Sequence, residues 1–460
     1  MEIDRRSFVQ SILVASAVGS VQAEKGEQPA PNPVIGQLAQ VAPDLQVTPP
    51  LTGTRFDIII VGGGTIGLSA AYYAAARGLK TLLLEQYDQF ADARASSGGH
   101  SRFFRIMHSS AYMAQLAESA LALWQEIETA SGRKILKQQR LIFYGVSGQT
   151  PEGNLGEMER VLAQLGLPYQ RCDSGAALKN SFPAFKDVPE EYIALVQPNS
   201  AVIRTRESVA AFHQLATSEG ATLLKNQRAA VATRKGVYQV TCPAGTYIAP
   251  HLILAPSAWT NHLLKSFGIQ LNLTIWQMTV AYFQAEVNNF DYPLWYEFGP
   301  PKQREASMLP RMHMTQCNDE IIQDLFYGFP PDENPGYIKA SADFAYCYNK
   351  YTDPDQCTYR PDPEILKQLG RFLQGRFNGV SPTPTEPPST CLYTFSADGQ
   401  MVLDALPGHP NVAIFTLDSG RGFKFTPLVG RVLVDLATRS STGYDISPLS
   451  INRPGIIVKQ

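Results

Sequence analysis

The sequence predicts an α/β fold: a Rossmann-like dinucleotide-binding domain joined to a second, substrate domain on a mixed or antiparallel sheet. Three observations predict it. A glycine fingerprint sits between a strand-like apolar run and a helix near residue 60. A second short apolar run, Leu252–Ala255, can return the chain to the same parallel sheet. Long alternating, aromatic-rich stretches such as "LTIWQMTVAYFQAEV" and "IIQDLFYGFP" suit antiparallel strands with one covered face.

The fingerprint lies in "FDIIIVGGGTIGLSAAYYAAARGLKTLLLEQ", residues 56–86. Phe56 to Val61 is continuously apolar and rich in β-branched residues, the pattern of a buried parallel strand. Gly62, Gly64 and Gly67 follow in G-x-G-x-x-G spacing. Such glycines allow a tight turn, a close approach of backbone to a pyrophosphate, and close packing of helix on strand. "LSAAYYAAARG" is the helix, with its N-terminal amides turned to the phosphates. "KTLLLE" is the second strand, and Glu85 at its end offers a carboxylate to ribose hydroxyls. Strand, turn, helix, strand and acid in this order predict dinucleotide binding. They do not by themselves choose between FAD and NAD.

Next, Arg102 and Arg105 stand three residues apart in "ASSGGHSRFFRIMHSSAYM", residues 95–113. On a helix that spacing puts both guanidiniums on one side. Taken alone, such a pair reads as a phosphate contact or a surface ion pair. The sharper reading is that one arginine clamps a substrate carboxylate in bidentate fashion. Met113, Leu116, Ala120, Leu123, Trp124 and Ile127 then recur near the helical period and predict a helix.

In the middle of the chain "RLIFYGVSG", residues 140–148, predicts a strand. Residues 192–226 predict a strand, a turn at Pro198-Asn199-Ser200, a helix from near Thr205 to Gly220, and another strand. The chain thus leaves the nucleotide-binding domain twice. The expected division is nucleotide-binding parts at 55–140, 191–264 and 386–460, with substrate-domain parts at 141–190 and 265–385.

The N-terminus reads Asp4-Arg5-Arg6-Ser7-Phe8-Val9, then "SILVASAVGSV", then Gln22-Ala23. A paired arginine, a short apolar core and a small-residue end describe a twin-arginine export signal over residues 1–23. That route carries folded proteins and implies a periplasmic or secreted product. Residues 24–54 are proline-rich and read as a linker or wrapping arm. A net charge of −2 gives no reason to expect nucleic acid. No integral membrane segment is expected in the mature chain, which lacks an uninterrupted apolar stretch of about 18 residues. The six cysteines show no zinc-type pairing, and no metal is expected. Cys347 and Cys357 flank the polar loop "YNKYTDPDQ". In an oxidising compartment a disulfide between them would close that loop; two free thiols is the alternative.

A set of motifs from about residue 55 to the end carries a family likeness: "SRFFR", "PNSAVIRTRE", "FYGFP" followed by "YIKA", "TCLYT", "SGRGFKFTPLVGRVL" and "DISPLSINRP". In this order they resemble the monomeric sarcosine oxidase and N-methyltryptophan oxidase family of D-amino-acid-oxidase-like flavoproteins. The resemblance implies FAD as cofactor, bonded as a thioether to Cys391 of "TCLYT". It implies that Arg105 and Lys424 hold a substrate carboxylate, that Arg102 and Gly422 lie close to the flavin with Lys424, and that Tyr393 lines the pocket. Lys339 of "YIKA" matches the lysine credited with oxygen activation. Asp343 stands where the family commonly has histidine, Arg421 replaces the histidine of "SGHGFKF", and Pro256-Ser257 stands where glycine is more usual. Trp276 matches an aromatic position before the middle strand. Facing the pocket, Asp343 would favour a cationic substrate side chain; a surface carboxylate is the plainer reading.

The implied reaction is oxidation of an amino acid or N-alkyl amino acid to an imine, with molecular oxygen as the second substrate and hydrogen peroxide as product. A monomer is the favoured state. Two rivals share most motifs: a periplasmic amine dehydrogenase with another electron acceptor, and a non-catalytic flavoprotein subunit.

Overall fold

The computed structural model describes residues 54–146, 154–234, 236–303, 321–332, 334–385 and 387–459. The expected export signal, and the linker up to residue 53, lie outside these residues.

Strand Ile58–Val61 is buried along its whole length. It is central in a six-stranded sheet whose order is Val402–Leu406, His409–Thr416, His251–Leu254, Ile58–Val61, Thr81–Leu84, Thr222–Leu224. Neighbours run parallel except the antiparallel pair Val402–Leu406 and His409–Thr416. The expected return of the chain is made at Leu252, which pairs with Ile59. The sheet is covered twice, which is why its strands are apolar throughout. Ile58 and Ile60 pack with Leu68, Trp124, Phe212 and Val432, from helices Thr65–Ala75, Ala111–Ser131, Thr205–Ser218 and Thr426–Arg439. Ile59 and Val61 pack with Val231, Val240 and Tyr247 of a small antiparallel sheet. The helix expected from Met113 to Ile127 is Ala111–Ser131, and its periodic residues are the buried ones.

The second sheet has eleven strands among the described residues. Its path runs Lys350–Tyr351, Thr274–Ala285, Tyr337–Ala342, Ile321–Phe329, Leu294–Gln303, Leu136–Gly145, Ile193–Arg204, Ser101–Phe104. Ser389–Phe395 and Val380–Pro384 also pair with Thr274–Ala285. Pairing is antiparallel apart from Leu294–Gln303 against Leu136–Gly145, so the sheet is mixed. No helix among the described residues is long and apolar enough to cross a membrane.

The structure corrects several expectations. Arg102 sits in a strand, Ser101–Phe104, and Arg105 follows it, so helical spacing is not what brings them together. Pro198-Asn199-Ser200 is no turn but part of strand Ile193–Arg204. The pairing shifts register opposite it, between Gln139 and Leu141, and a proline is tolerated at such a bulge. Strands Ser101–Phe104, Ile193–Arg204 and Ser389–Phe395 belong to the large sheet. Cys347 is disulfide-bonded while Cys357 is a buried free thiol, so the disulfide does not join these two.

Candidate active site

Three cavities adjoin one another through shared lining residues. The first, of about 550 Å³, is lined by Gly62, Glu85, Tyr87 and Trp259. The second, lined by Gly64, Ser97, Thr416, Asp418 and Gly422, shares Ala95, Ala255 and Ser257 with the first. The third holds Arg102, Arg105, Lys339, Asp343, Cys391, Tyr393, Arg421 and Lys424, and shares Phe423 with the second. Together they form one trough from the glycine turn to Cys391.

The trough suits a dinucleotide. Gly62 has φ +110°, and a Cβ there would lie 2.3 Å from the Ala255 carbonyl oxygen. A Cβ on Gly67 would lie 1.8 Å from the Gly62 oxygen, so strand and helix meet too closely for any side chain. Gly64 precedes helix Thr65–Ala75 and has no side chain to cap it, while Ser97 Oγ accepts the Thr65 N–H at 3.2 Å; a helix N-terminus favours an anion. Buried Glu85 accepts the N–H groups of Gly63 (2.7 Å) and Tyr87 (2.9 Å). Burial pushes its carboxyl pKa up while these two N–H groups pull it down. Each of its oxygens takes one backbone bond, and further lone pairs remain for a ribose.

Cys391 lies on strand Ser389–Phe395 opposite Met278, with Tyr393 two residues on and opposite Trp276. Alternation therefore sends Cys391 and Tyr393 to one face. Burial pushes the Cys391 thiol pKa up, and the positive charges of Arg102 and Lys339 oppose it. Its strand is tied down: Ser96 Oγ donates to the Leu392 carbonyl at 2.7 Å and lies 2.8 Å from Ser257 Oγ. Ser257 takes a left-handed φ of 51°, a conformation that costs a serine more than the glycine usual there. Arg102 Nη2 donates to the carbonyls of Ser96 (2.7 Å) and Gly98 (2.6 Å), bracing the same loop.

Lys339 is buried on strand Tyr337–Ala342. Its Nζ donates to Ser101 O at 2.8 Å and Ser101 Oγ at 3.2 Å, and lies 4.3 Å from the Phe329 ring centroid. Arg105, also buried, donates through Nη1 to the Met107 carbonyl and contacts His108 Nδ1 at 3.2 Å. Lys424 occupies the turn Phe423–Phe425 before helix Thr426–Arg439, where its Nζ donates to Arg421 O at 2.8 Å. Trp124 Nε1 donates to the Lys424 carbonyl at 2.8 Å and anchors that turn. Gly422 N–H donates to Asp418 Oδ2 at 3.2 Å and walls the second cavity.

Asp343 lines the third cavity and accepts from Tyr296 Oη at 2.7 Å, so the surface reading does not hold. Trp276 instead stacks on Phe395 at 3.9 Å, with Lys350 Nζ 4.6 Å from its ring, and is not among the residues of that cavity. Sequence reasoning missed Tyr327, whose hydroxyl lies 2.9 Å from that of Tyr393, and His108 beside Arg105. Tyr327 had a signal: Leu325, Tyr327 and Phe329 alternate onto one apolar cluster. His108 had none beyond its nearness to Arg105. Among the described residues His262, Asp353 and Asp355 form a cluster of metal-ligand type. Trp259 and Arg228 already engage Asp355, and the cluster stands outside the third cavity.

Comparison with known proteins agrees with this arrangement. The family of FAD dependent oxidoreductases (DAO) matches residues 57–436. The monomeric sarcosine oxidase of Bacillus sp. (strain NS-129) is 28% identical over 414 residues, 88% of this chain and 98% of the relative. The peroxisomal sarcosine oxidase of Homo sapiens is 26% identical over 402 residues, 86% and 96% of the two chains. The solved open form of NikD, described as an unusual amino acid oxidase essential for nikkomycin biosynthesis, superposes with a TM-score of 0.76. It is 26% identical and covers 86% of this chain and 97% of its own. With a trough for a dinucleotide and a family match across most of its length, this chain belongs to the DAO family of FAD-dependent oxidoreductases.

Proposed function

We propose that this protein is an oxidase of an amino acid or N-alkyl amino acid, with molecular oxygen as acceptor and its flavin bonded to Cys391. The observation that carries the reading is the third cavity, where Arg105, Lys424, Lys339 and Cys391 meet at the end of the nucleotide trough. The relatives named as sarcosine oxidases, and NikD named as an amino acid oxidase, support the substrate class.

FAD, when bound, supplies the two-electron oxidation of the substrate carbon–nitrogen bond. The residues of this chain supply the rest. Arg105 and Lys424 hold the carboxylate, and fixing one end of a small substrate mainly contributes orientation. Lys339 keeps a positive charge where oxygen gains electrons, stabilisation by a pre-placed cation. Phe103, Phe143, Phe329 and Tyr296 line the same cavity and exclude water. Asp343 and Tyr296 add a hydrogen-bonded polar pair whose acid favours a substrate with a cationic side chain. The oxidised substrate leaves as an imine, which water hydrolyses. Cationic walls favour the neutral amine, so activity rises toward alkaline pH. We further propose export through the twin-arginine route to the periplasm or beyond, supported by the arginine pair before the apolar run of residues 1–23.

An aerobic peroxide screen over amino acids and N-methyl amino acids, lysine and sarcosine included, tests the proposal. Hydrogen peroxide from at least one of them is expected. If none yields peroxide, and none bleaches the flavin under argon, the proposal is wrong. Bleaching without peroxide replaces oxygen by another acceptor.

A further inference from the structure

No step above uses His108. It lies three residues beyond Arg105 and is 5% exposed. Its Nδ1 is 3.2 Å from Arg105 Nη1. A guanidinium can only donate, so Nδ1 is the acceptor and the ring proton sits on Nε2. The other Nη1 hydrogen goes to the Met107 carbonyl. With both Nη1 hydrogens committed, the plane and roll of the guanidinium are fixed.

The imidazole is itself held. It stacks on Phe425, the residue after Lys424, with ring centroids 6.3 Å apart and planes 28° apart. Met107 N–H beside it donates to Gln197 Oε1 at 2.8 Å, tying the segment to strand Ile193–Arg204. His108 thus hydrogen-bonds one of the two cations assigned to the carboxylate and packs on the neighbour of the other. The charged groups facing it are Arg105, Lys424 and Arg421, all cationic. With burial, they keep the ring in the neutral form whose Nδ1 can accept. Among the described residues its buried Nε2 finds no hydrogen-bond partner.

We propose that His108 is the positioning residue of the carboxylate site, orienting Arg105 by accepting one of its Nη1 hydrogens. The proposal rests on the reading of Arg105 and Lys424 as the holders of a substrate carboxylate.

The test uses the purified holoenzyme, acetate as the probe, and calorimetry for its Kd, beside steady-state kinetics on an amino acid that is turned over. H108Q keeps an acceptor on an uncharged side chain. H108F keeps an aromatic ring without one, and H108L replaces it if H108F does not fold. Flavin spectrum and melting temperature check folding. H108F should weaken acetate and raise KM about tenfold, with kcat little changed. H108Q should stay close to the native enzyme in both. Native acetate affinity in H108F, or H108Q as weak as H108F, overturns the role of His108 and leaves the oxidase reading standing. A native holoenzyme that binds no acetate removes the carboxylate site and this proposal with it.

Discussion

Lys339 and Arg102 donate to the same oxygen, the carbonyl of Ser101, at 2.8 Å and 2.9 Å. One acceptor is therefore shared by two cations of the cavity that contains Cys391. Replacing Lys339 by Met should slow reoxidation by oxygen about 100-fold, the scale of losing one pre-placed charge-stabilising group. Reduction by substrate under argon should change far less. Stopped-flow absorbance separates the two half-reactions, and an equal loss in both would rule out a role specific to oxygen.

Cys391→Ser should bind FAD yet release all colour on acid precipitation, while the native protein keeps its flavin in the pellet. Burial raises the thiol pKa and the charges of Arg102 and Lys339 pull it back. The thiolate is the reactive form. Attachment to added FAD should therefore quicken with rising pH and slow in Arg102→Met or Lys339→Met. Acid-stable flavin measured against time decides this; a native pellet without colour would end the covalent assignment.

Arg105→Met and Lys424→Met should each raise KM for an amino acid about 10- to 100-fold, the scale of one lost charge-assisted hydrogen bond. The Lys424 variant should stay folded, because Trp124 bonds the backbone carbonyl of Lys424 and not its side chain. Unchanged KM in both variants, by initial-rate kinetics, would move the carboxylate elsewhere.

His108 also predicts a pH dependence of stability. Its folded pKa lies well below the ordinary histidine value of 6.5. Below that value the unfolded chain takes a proton that the folded one refuses, so stability falls as pH drops from 6.5 toward the folded pKa. The slope from this one group is at most about 1.4 kcal/mol per pH unit. In His108→Gln the decline between about pH 6.5 and 5 should be shallower than in the native protein. Denaturant titrations at several pH values measure the difference, and parallel curves would mean that His108 titrates normally.

Closing the strand–helix junction should abolish cofactor uptake. A Cβ on Gly67 would overlap the Gly62 carbonyl at 1.8 Å. Gly67→Ala is expected to yield little or no soluble yellow protein, read from flavin absorbance per protein; native occupancy would contradict the close approach.

Much of this protein is local, and so legible in one dimension. The run Phe56–Val61, the glycine spacing and Glu85 all fall in one continuous stretch of sequence, and the periodic residues from Met113 to Ile127 are the buried face of one helix. Motif likeness added the residues of the third cavity: Arg102, Arg105, Lys339, Asp343, Cys391, Tyr393 and Lys424 all line it. What failed was geometry read from spacing. Arg102 and Arg105 lie at and just past a strand, and the Pro198 segment extends because a bulge absorbs it.

The sequence by itself determined the nucleotide fold, since a strand buried on both faces must be apolar throughout and a turn this tight admits only glycine. Only the tertiary structure decided which groups share a hydrogen bond. Ser101 with Lys339, Tyr327 with Tyr393 and Ser96 with Leu392 lie 238, 66 and 296 residues apart in the chain. Such contacts follow from how strands far apart in the chain are brought into one large sheet, and no local pattern of side chains encodes that order.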